Sequence, residues 1–244
     1  MNDFVNAFKF MGNNLDLLVT KTVEHLELSG AAIAVALAIA LPIGLWLGHR
    51  HRGSFVAINA ANVGRALPSL AIIAIGIGIL GIGFVNVMFA LIVLAVPPIL
   101  TNAYLGIDQV DRDMVQAAEG MGMRPWQVFS RVELPISLPL VFAGIRTSAV
   151  YVVATATLAA IAGGGGLGDI IVNQASYKLA GVIAAAIWVA VLALLVDAAF
   201  ALLQRAVTPR GLRRAATISD APPPDKGAAA PLVAGRPVPG TEVN

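Results

Sequence analysis

The stretch QAAEGMGMRPWQVFSRVELP, residues 116–135, is the most polar part of a very apolar chain. Long hydrophobic runs lie on both sides of it. Two glycines and two prolines divide the stretch into short pieces, which indicates turns and helix ends rather than another membrane span. The connection around it, residues 106–137, is too long for a simple turn and too short for a domain. We therefore expect it to carry a function of its own.

The composition of the chain predicts a membrane protein. Of its 244 residues, 58% are hydrophobic and only 12% are charged, whereas an average soluble domain carries about 25% charged residues. So few charges cannot cover the exterior of a water-soluble fold. The absence of cysteine excludes disulfides, thiolate catalysis and cysteine-based metal sites. The formal net charge of +2 is too small to indicate a nucleic-acid partner.

Five apolar runs have the length of a transmembrane helix, which needs about 20 residues. They are continuous rather than alternating every second residue, so helices are favoured over a transmembrane barrel. The sequence predicts an all-α membrane protein with five transmembrane helices and a transmembrane domain over residues 28–207. The predicted spans are residues 28–48, 55–80, 84–105, 138–162 and 180–203.

The basic residues predict the orientation of these spans. Five spans place the two termini on opposite sides, and short loops rich in arginine and lysine favour the cytoplasm. An external N-terminus leaves only Lys9, Lys21 and Lys178 outside and puts the 106–137 loop and the C-terminus in the cytoplasm. Residues 1–27 are expected to form an external amphipathic leader, for which a disordered segment is the alternative. Residues 208–244, rich in Pro, Ala and Gly, are expected to be a disordered cytoplasmic tail.

Within the 106–137 loop the pattern predicts two short helices joined by a glycine turn. The first is expected over 112–121 and the second over 125–135, where the final proline ends it. Together they would form a compact knob, on which Ala117 and Ala118 leave one face nearly bare for a partner. An ordinary helix pair lying at the membrane interface is the alternative.

The same stretch resembles the cytoplasmic signature of permease subunits of binding-protein-dependent ABC importers. That signature is Glu-Ala-Ala, three residues, Gly, nine residues and Ile-x-Leu-Pro. In this chain, residues 116–118 correspond to Glu-Ala-Ala, and Gly122 follows after three residues. Residues 132–135 follow after nine more and correspond to Ile-x-Leu-Pro. Gln116 replaces the glutamate and loses its charge, and Val132 replaces isoleucine with the loss of one methylene. The resemblance implies an ATPase-coupling role for Gln116, Ala117, Ala118, Glu119, Gly122, Arg124, Leu134 and Pro135. We therefore refer to residues 106–137 as the coupling loop.

A narrower resemblance covers most of residues 22–207. It is closest to the osmoprotectant branch, which imports glycine betaine, choline, carnitine and similar quaternary ammonium solutes. It is carried by VGRALPSLAIIAIGIGILGIG (63–83), VPPILTNAYLGIDQVDRDMVQAAEGMGM (96–123) and TLAAIAGGGGLGDII (157–171).

This resemblance implies the type I ABC importer permease fold in a bacterial cell membrane. It also implies a second permease copy or paralogue, two ATP-binding cassette subunits and an extracytoplasmic solute-binding protein. ATP and magnesium are then expected on the partner ATPase. We expect this chain to bind no cofactor or metal. We also expect it to have no enzymatic activity of its own.

Prolines inside the predicted spans indicate the translocation path. Pro68 and the Pro97-Pro98 pair remove backbone donors, so they kink or break their helices, and such kinks can serve as gates. Simple tolerance of proline in membrane helices is the alternative. The residues predicted to line the path are Arg65, Pro68, Ser69, Pro97, Pro98, Thr101 and Asn102.

Three charged residues fall inside predicted spans: Arg65, Arg146 and Asp197. A charge at mid-membrane costs at least about 2.5 kcal/mol on insertion scales, so each needs a partner or water. Asp197 can pair with either arginine. The sequence leaves open whether the arginines are structural anchors or line the path.

Two further patterns are expected to carry no chemistry. GGGGLG, residues 163–168, has the spacing of a dinucleotide-binding loop but follows an apolar span instead of a strand, so nucleotide binding is rejected. It is expected to be a flexible hinge, followed by a short outer helix that can contact a binding protein, for which a simple loop is the alternative. His25, His49 and His51 are expected to be ordinary surface residues and not a metal site.

Three other functions stay compatible with the sequence. One is an ABC importer permease for an amino acid or another small solute. Another is an ion-coupled secondary carrier, which is disfavoured because no internal repeat is evident. The third is a membrane scaffold.

Overall fold

The computed structural model describes residues 2–208, without the side chains of Asn2 and Arg65. Every regular element in this range is helical. Except for Thr208, the predicted tail lies outside the described residues. The α-helices are α1 (Asn2–Asn13), α2 (Leu15–His49), α3 (Ser54–Ala66), α4 (Ser69–Leu80), α5 (Phe84–Asp108), α6 (Arg112–Gly120), α7 (Pro125–Val128), α8 (Leu134–Thr155), α9 (Gly168–Val172) and α10 (Gln174–Val207).

Four helical runs are long and apolar enough to cross a membrane, namely α2, α5, Pro125–Ala162 and α10. The pair Ser54–Gly64 and Ser69–Leu80 makes a fifth if it is one broken span, bent by 92°. Pro68 explains the break, because it has no N–H to donate and holds Leu67 in an extended conformation (φ −78°, ψ 114°). The prediction of an all-α membrane protein is confirmed, and the second predicted span is broken at Pro68, as the proline predicts.

The first spanning helix begins at Leu15, well before the predicted start at residue 28. Residues 15–27 therefore continue the spanning helix, and only α1, which packs against α10, precedes it. The charges of Lys21 and Glu24 interrupt the apolar run in the sequence. In the fold these two side chains pair with each other, and Lys21 also pairs with Asp169. The helix can therefore extend through them.

The centre of the bundle is α5, which packs against α2, α3, α4 and α8. Helix α2 meets it closely, because a Cβ added at Gly44 would lie 2.7 Å from the Leu100 carbonyl oxygen, and one at Gly48 would lie 2.7 Å from Ile107 Cβ. Small residues allow such close approach between membrane helices. Both glycines belong to a buried small-residue ridge on α2, with one member every fourth position. The small-residue ridge consists of Ala32, Ala36, Ala40, Gly44 and Gly48.

The two predicted helices of the coupling loop are present as α6 and α7, but the second does not end at Leu134-Pro135. Helix α7 continues through a π-helical turn, Phe129–Glu133, into α8. In that turn the Leu134 N–H donates to the Phe129 carbonyl, five residues back. A wider turn suits Pro135, which lacks an N–H and whose ring would crowd an α-helical carbonyl. The predicted helix end is wrong, and the coupling loop passes into a spanning helix without a break.

At its far end α8 continues into a 3-10 helix, Ala156–Ala162, which leads to the glycine loop, residues 163–168. This loop is held by contacts with α2. The Glu24 carboxylate accepts from the Gly166 N–H at 3.0 Å. Lys21 Nζ lies 2.7 Å from Asp169 Oδ2, just after the loop. Gly166 has φ 76°, which glycine adopts without steric cost. The expectation of a flexible hinge therefore gives way to a loop fixed to the first turns of α2.

Candidate functional site

The first part of the candidate site is α6 and the turn that follows it. Asp111 caps α6 by accepting from the Asp113 N–H at 2.8 Å. Gly122 turns the chain with φ 83°. A Cβ at Gly122 would meet no atom within 4 Å, so conformation and not space requires glycine there. The cap and the turn together fix both ends of α6.

Most of the predicted coupling residues are exposed. Ala118 is buried, with 1% exposure, and α6 packs against α7 and the π-helical turn. Leu134 and Pro135 are half-buried at the start of α8. Two large apolar side chains that the sequence analysis did not select, Met121 and Trp126, are 73% and 71% exposed. Such exposure is typical of docking surfaces. We define the docking face as the exposed residues Gln116, Ala117, Glu119, Met121, Gly122, Arg124 and Trp126.

A buried acid ties the coupling loop to the end of α2. Glu133, in the π-helical turn, is only 2% exposed. Its Oε2 lies 2.6 Å from Nδ1 of His49, the last residue of α2. The His49 ring also packs edge-on against Phe129 at 5.4 Å between centroids, and Phe129 packs on Trp126 at 5.4 Å.

Two of the three histidines, His25 and His49, differ from the expectation of ordinary surface residues. His25 is fully buried, and its Nε2 donates to the Val153 carbonyl at 2.8 Å, which joins α2 to α8. The Nδ1 atom of His51 lies 3.1 Å from Asp108 Oδ1. The partner of His49 lies 84 residues away in the chain and that of His25 lies 128 away, so no local pattern reveals them. Across residues 2–208, no group of three or more His, Asp and Glu side chains is placed to hold a metal.

The second part of the candidate site is a groove of about 410 Å³ over α5, between α3 and α8. Its volume lies in the range of small-molecule sites. Four predicted path residues line it, Pro97, Pro98, Thr101 and Asn102, together with Ala61, Gly64, Thr147 and Tyr151. Pro68 and Ser69 are not among these lining residues, and the side chain of Arg65 lies outside the description.

Glycines bring both walls of the groove against the proline pair. A Cβ at Gly64 of α3 would lie 2.6 Å from Pro97 Cβ. A Cβ at Gly144 of α8 would lie 2.8 Å from the Pro98 carbonyl oxygen. Any larger residue at either position would move a wall away from α5.

The two threonine hydroxyls of the groove donate to the protein backbone. Thr101 Oγ1 donates to the Ala57 carbonyl at 3.2 Å, and Thr147 Oγ1 donates to the Ala143 carbonyl at 2.9 Å. Such hydroxyls keep lone pairs available for a solute. The described lining residues include no charged side chain, and Tyr151 is their aromatic member. The groove therefore suits a solute that needs weak acceptors and an aromatic face.

A second cavity of about 620 Å³ shares Thr147 and Tyr151 with the groove. Arg146 and Asp197 lie on its wall and pair through two hydrogen bonds of 2.6 Å. Of the two pairings predicted for Asp197, the structure contains the one with Arg146. The paired charges lie on two spanning helices, α8 and α10, where an unpaired charge would be costly.

A family model described as the inner membrane component of binding-protein-dependent transport systems matches residues 40–209. The match covers more than half of the chain and includes both the coupling loop and the groove. The chain belongs to this family. It is therefore a multi-pass membrane permease subunit.

Several curated permeases are similar to this permease over most of their length. The glycine betaine/carnitine/choline transport system permease protein OpuCB of Bacillus subtilis is 39% identical over 205 residues, which cover 84% of this chain and 94% of that protein. The choline transport system permease protein OpuBB of the same organism is 38% identical over 86% of this chain and 98% of its own length. The carnitine transport permease protein OpuCB of Listeria monocytogenes is 39% identical over 88% of this chain and 98% of its own length.

A solved structure shares the fold of this permease. The MetNI methionine ABC transporter in an inward-facing conformation matches with a TM-score of 0.67 and 23% identity, over 80% of this chain and 98% of that chain. At this identity the likeness concerns the fold alone. The predicted type I ABC importer permease fold is confirmed.

Proposed function

We propose that this permease is the membrane subunit of an ATP-driven importer for quaternary ammonium osmoprotectants, such as glycine betaine, choline, carnitine and proline betaine. The observation that carries the proposal is the 38–39% identity, over more than four fifths of the chain, to three permeases named for such solutes. An amino-acid importer is less well supported, because the solved amino-acid transporters share only 18–23% identity.

The proposed importer has several further subunits. It contains a second copy of this permease or a paralogue, two ATP-binding cassette subunits and an extracytoplasmic solute-binding protein. ATP and magnesium bind to the cassette subunits, and the permease itself is not catalytic. The N-terminus lies outside and the C-terminus in the cytoplasm, as the distribution of arginines favours. This orientation places the coupling loop on the side of the ATPases.

The chemistry of the docking face supports ATPase binding. Ala117 leaves room for a close approach, and Met121 and Trp126 offer apolar area that a partner would bury. Glu119 and Arg124 add charges that can set the register of the contact. Gln116 contributes hydrogen bonding without the charge of the usual glutamate.

The continuity of the Pro125–Ala162 run suggests how movement reaches the solute. ATP binding draws the two ATPases together and displaces the docked coupling loops. Because α7, the π-helical turn and α8 form one run, the displacement reaches Thr147 and Tyr151 on the groove wall without an intervening loop. The groove then opens to the other side, and hydrolysis resets it. Arg65, Pro68 and Ser69 are proposed to line the continuation of the path beyond the groove.

Reconstitution of the whole transporter tests the proposal. Vesicles that hold all subunits should take up labelled choline and glycine betaine only with ATP, and the permease should retain the ATPase in a pull-down. Ala117→Arg, which places a long charged side chain on the docking face, should reduce both the ATP-dependent uptake and the recovery of the ATPase to background. Gln116→Glu is the matched control and should retain both, because it restores the glutamate of the family signature.

Two further outcomes are informative. The Gly122→Arg variant should lose solute uptake. If this variant still retains the full amount of ATPase in the pull-down, the turn at Gly122 transmits force rather than holds the ATPase. Uptake that needs no ATP but follows an ion gradient would contradict the proposal and favour a secondary carrier.

A further inference from the structure

Helix α2 makes polar contacts at both ends of the bundle, and the proposed path uses neither set. At the coupling-loop end, His49 binds Glu133. At the glycine-loop end, Lys21 binds Asp169 and Glu24 binds the N–H of Gly166. Lys21 and His49 are 28 residues apart on one helix, which corresponds to roughly 42 Å at 1.5 Å per residue.

We propose that α2 is a transmission strut whose end residues position the glycine loop according to the state of the coupling loop. His49 and Glu133 receive the displacement, and Lys21 and Glu24 deliver it at the far end. This inference rests on the proposed function, since it needs an ATPase that moves the coupling loop. It assigns a role in transport to four residues that line neither the groove nor the docking face.

The contact at the coupling-loop end is suited to transmit force. Glu133 is 2% exposed, so water cannot replace its hydrogen bond to His49 at low cost. Phe129, from the same π-helical turn, packs on the His49 ring and prevents it from swinging away. When the π-helical turn moves, the end of α2 therefore has to follow.

The middle of α2 allows the helix to shift as a unit. The helix is continuous over 35 residues and passes through Pro42 without a break. Its small-residue ridge lies directly against α5, where Gly44 faces the Leu100 carbonyl and Gly48 faces Ile107, so a shift of α2 is passed along this contact. Small shifts of packed helices against each other are an established form of conformational change in proteins.

The contacts at the glycine-loop end connect α2 to the segment between α8 and α9. Lys21 Nζ lies 2.8 Å from Glu24 Oε2 and 2.7 Å from Asp169 Oδ2. Glu24 also accepts from Gly166, and that glycine is packed against His25, since a Cβ there would lie 3.1 Å from His25 Nδ1. A displacement of α2 therefore changes the position of the glycine loop, at the end of the bundle opposite the docking face.

A fluorescent reporter at the far end tests this inference in the complete transporter. The chain contains no cysteine, so Val172→Cys, at an exposed position in α9, gives each copy of the permease a single labelling site, which is labelled before the other subunits are added. With an environment-sensitive dye there, addition of a non-hydrolysable ATP analogue to vesicles should change the fluorescence. His49→Leu should abolish most of that change while ATPase binding and basal hydrolysis persist. Glu27→Gln, which removes an exposed carboxylate from the same helix, should leave the change intact.

The outcomes separate transmission from a merely structural role. The double variant His49→Leu/Glu133→Leu replaces the buried pair by an apolar one and guards against misfolding. If either variant retains the ATPase and shows the full fluorescence change, the inference is overturned. It is equally overturned if both variants lose the ATPase, because the pair then serves docking alone. A transporter without substitutions in α2 that takes up no choline would instead contradict the proposed function.

Discussion

Arg146 and Asp197 meet across 51 residues of chain through two parallel hydrogen bonds, Nε to Oδ1 and Nη2 to Oδ2, each 2.6 Å long. The paired fork geometry is the strongest arrangement available to these side chains. Nearby, Gln204 Nε2 donates to the Pro139 carbonyl at 2.8 Å, again between α10 and α8. Polar contacts therefore hold α10, an otherwise very apolar helix, in one register against α8.

Breaking the ion pair from one side should destabilise the permease more than removing it whole. Asp197→Asn and Arg146→Gln each leave a charge within a spanning helix without its partner. Each should lower the melting temperature of the detergent-solubilised protein, and the double variant should recover part of the loss. Thermal unfolding followed by tryptophan fluorescence measures this. A double variant whose loss equals the sum of the single losses would show that the two residues act independently.

A methyl group on the small-residue ridge should separate α2 from α5. Gly44→Ala places a Cβ 2.7 Å from the Leu100 carbonyl oxygen, and overpacking of this kind costs about 1–3 kcal/mol. Gly30→Ala is the matched control on the same helix, because no atom lies within 4 Å of its new Cβ. The control should be neutral or stabilise by about 0.5–1 kcal/mol through helix propensity. Equal melting temperatures for the two variants would contradict the close contact.

Tyr151 should contribute to the passage of a quaternary ammonium group through its aromatic face. Tyr151→Leu should lower the maximal rate of choline uptake several-fold with little change in KM, because the separate binding protein sets the affinity. Tyr151→Phe keeps the ring and should retain most of the rate. Uptake assays at several choline concentrations distinguish the two quantities. A phenylalanine variant as impaired as the leucine variant would point to the hydroxyl instead of the ring.

The turn after α6 should depend on glycine for conformational reasons. Gly122→Ala forces an alanine to φ 83°, which costs about 1–2 kcal/mol. Affinity for the ATPase should therefore fall by about tenfold, measured by titrating labelled ATPase onto permease in nanodiscs. Gly120→Ala adds the same methyl inside α6, where nothing lies within 4 Å, and should change the affinity little. Similar losses in both variants would indicate that added bulk matters rather than backbone geometry.

The spans and the coupling loop were predictable because their signals are local. Apolar runs of membrane length mark the spans, and Pro68 marks the break between α3 and α4. The cap at Asp111 and the turn at Gly122 likewise lie within a few residues of α6. Four of the predicted path residues line the groove because they are neighbours on α5.

Other features were not predictable because they depend on residues distant in the chain. Helix α2 starts at Leu15, and its charged residue Lys21 pairs with Asp169, 148 residues further along the chain. The burial of Glu133 depends on His49, and nothing beside Glu133 in the sequence marks it as buried. The choice of Arg146 for Asp197 likewise depends on how α8 packs against α10.

The unbroken run from Pro125 to Ala162 also restricts how the protein can evolve. Each residue of a helix advances it by about 1.5 Å and turns it by about 100°. One inserted or deleted residue between Trp126 and Tyr151 would therefore turn one of these side chains to another side of the molecule. Homologues should vary in length elsewhere and keep this interval constant, or change it only by steps close to whole helical turns.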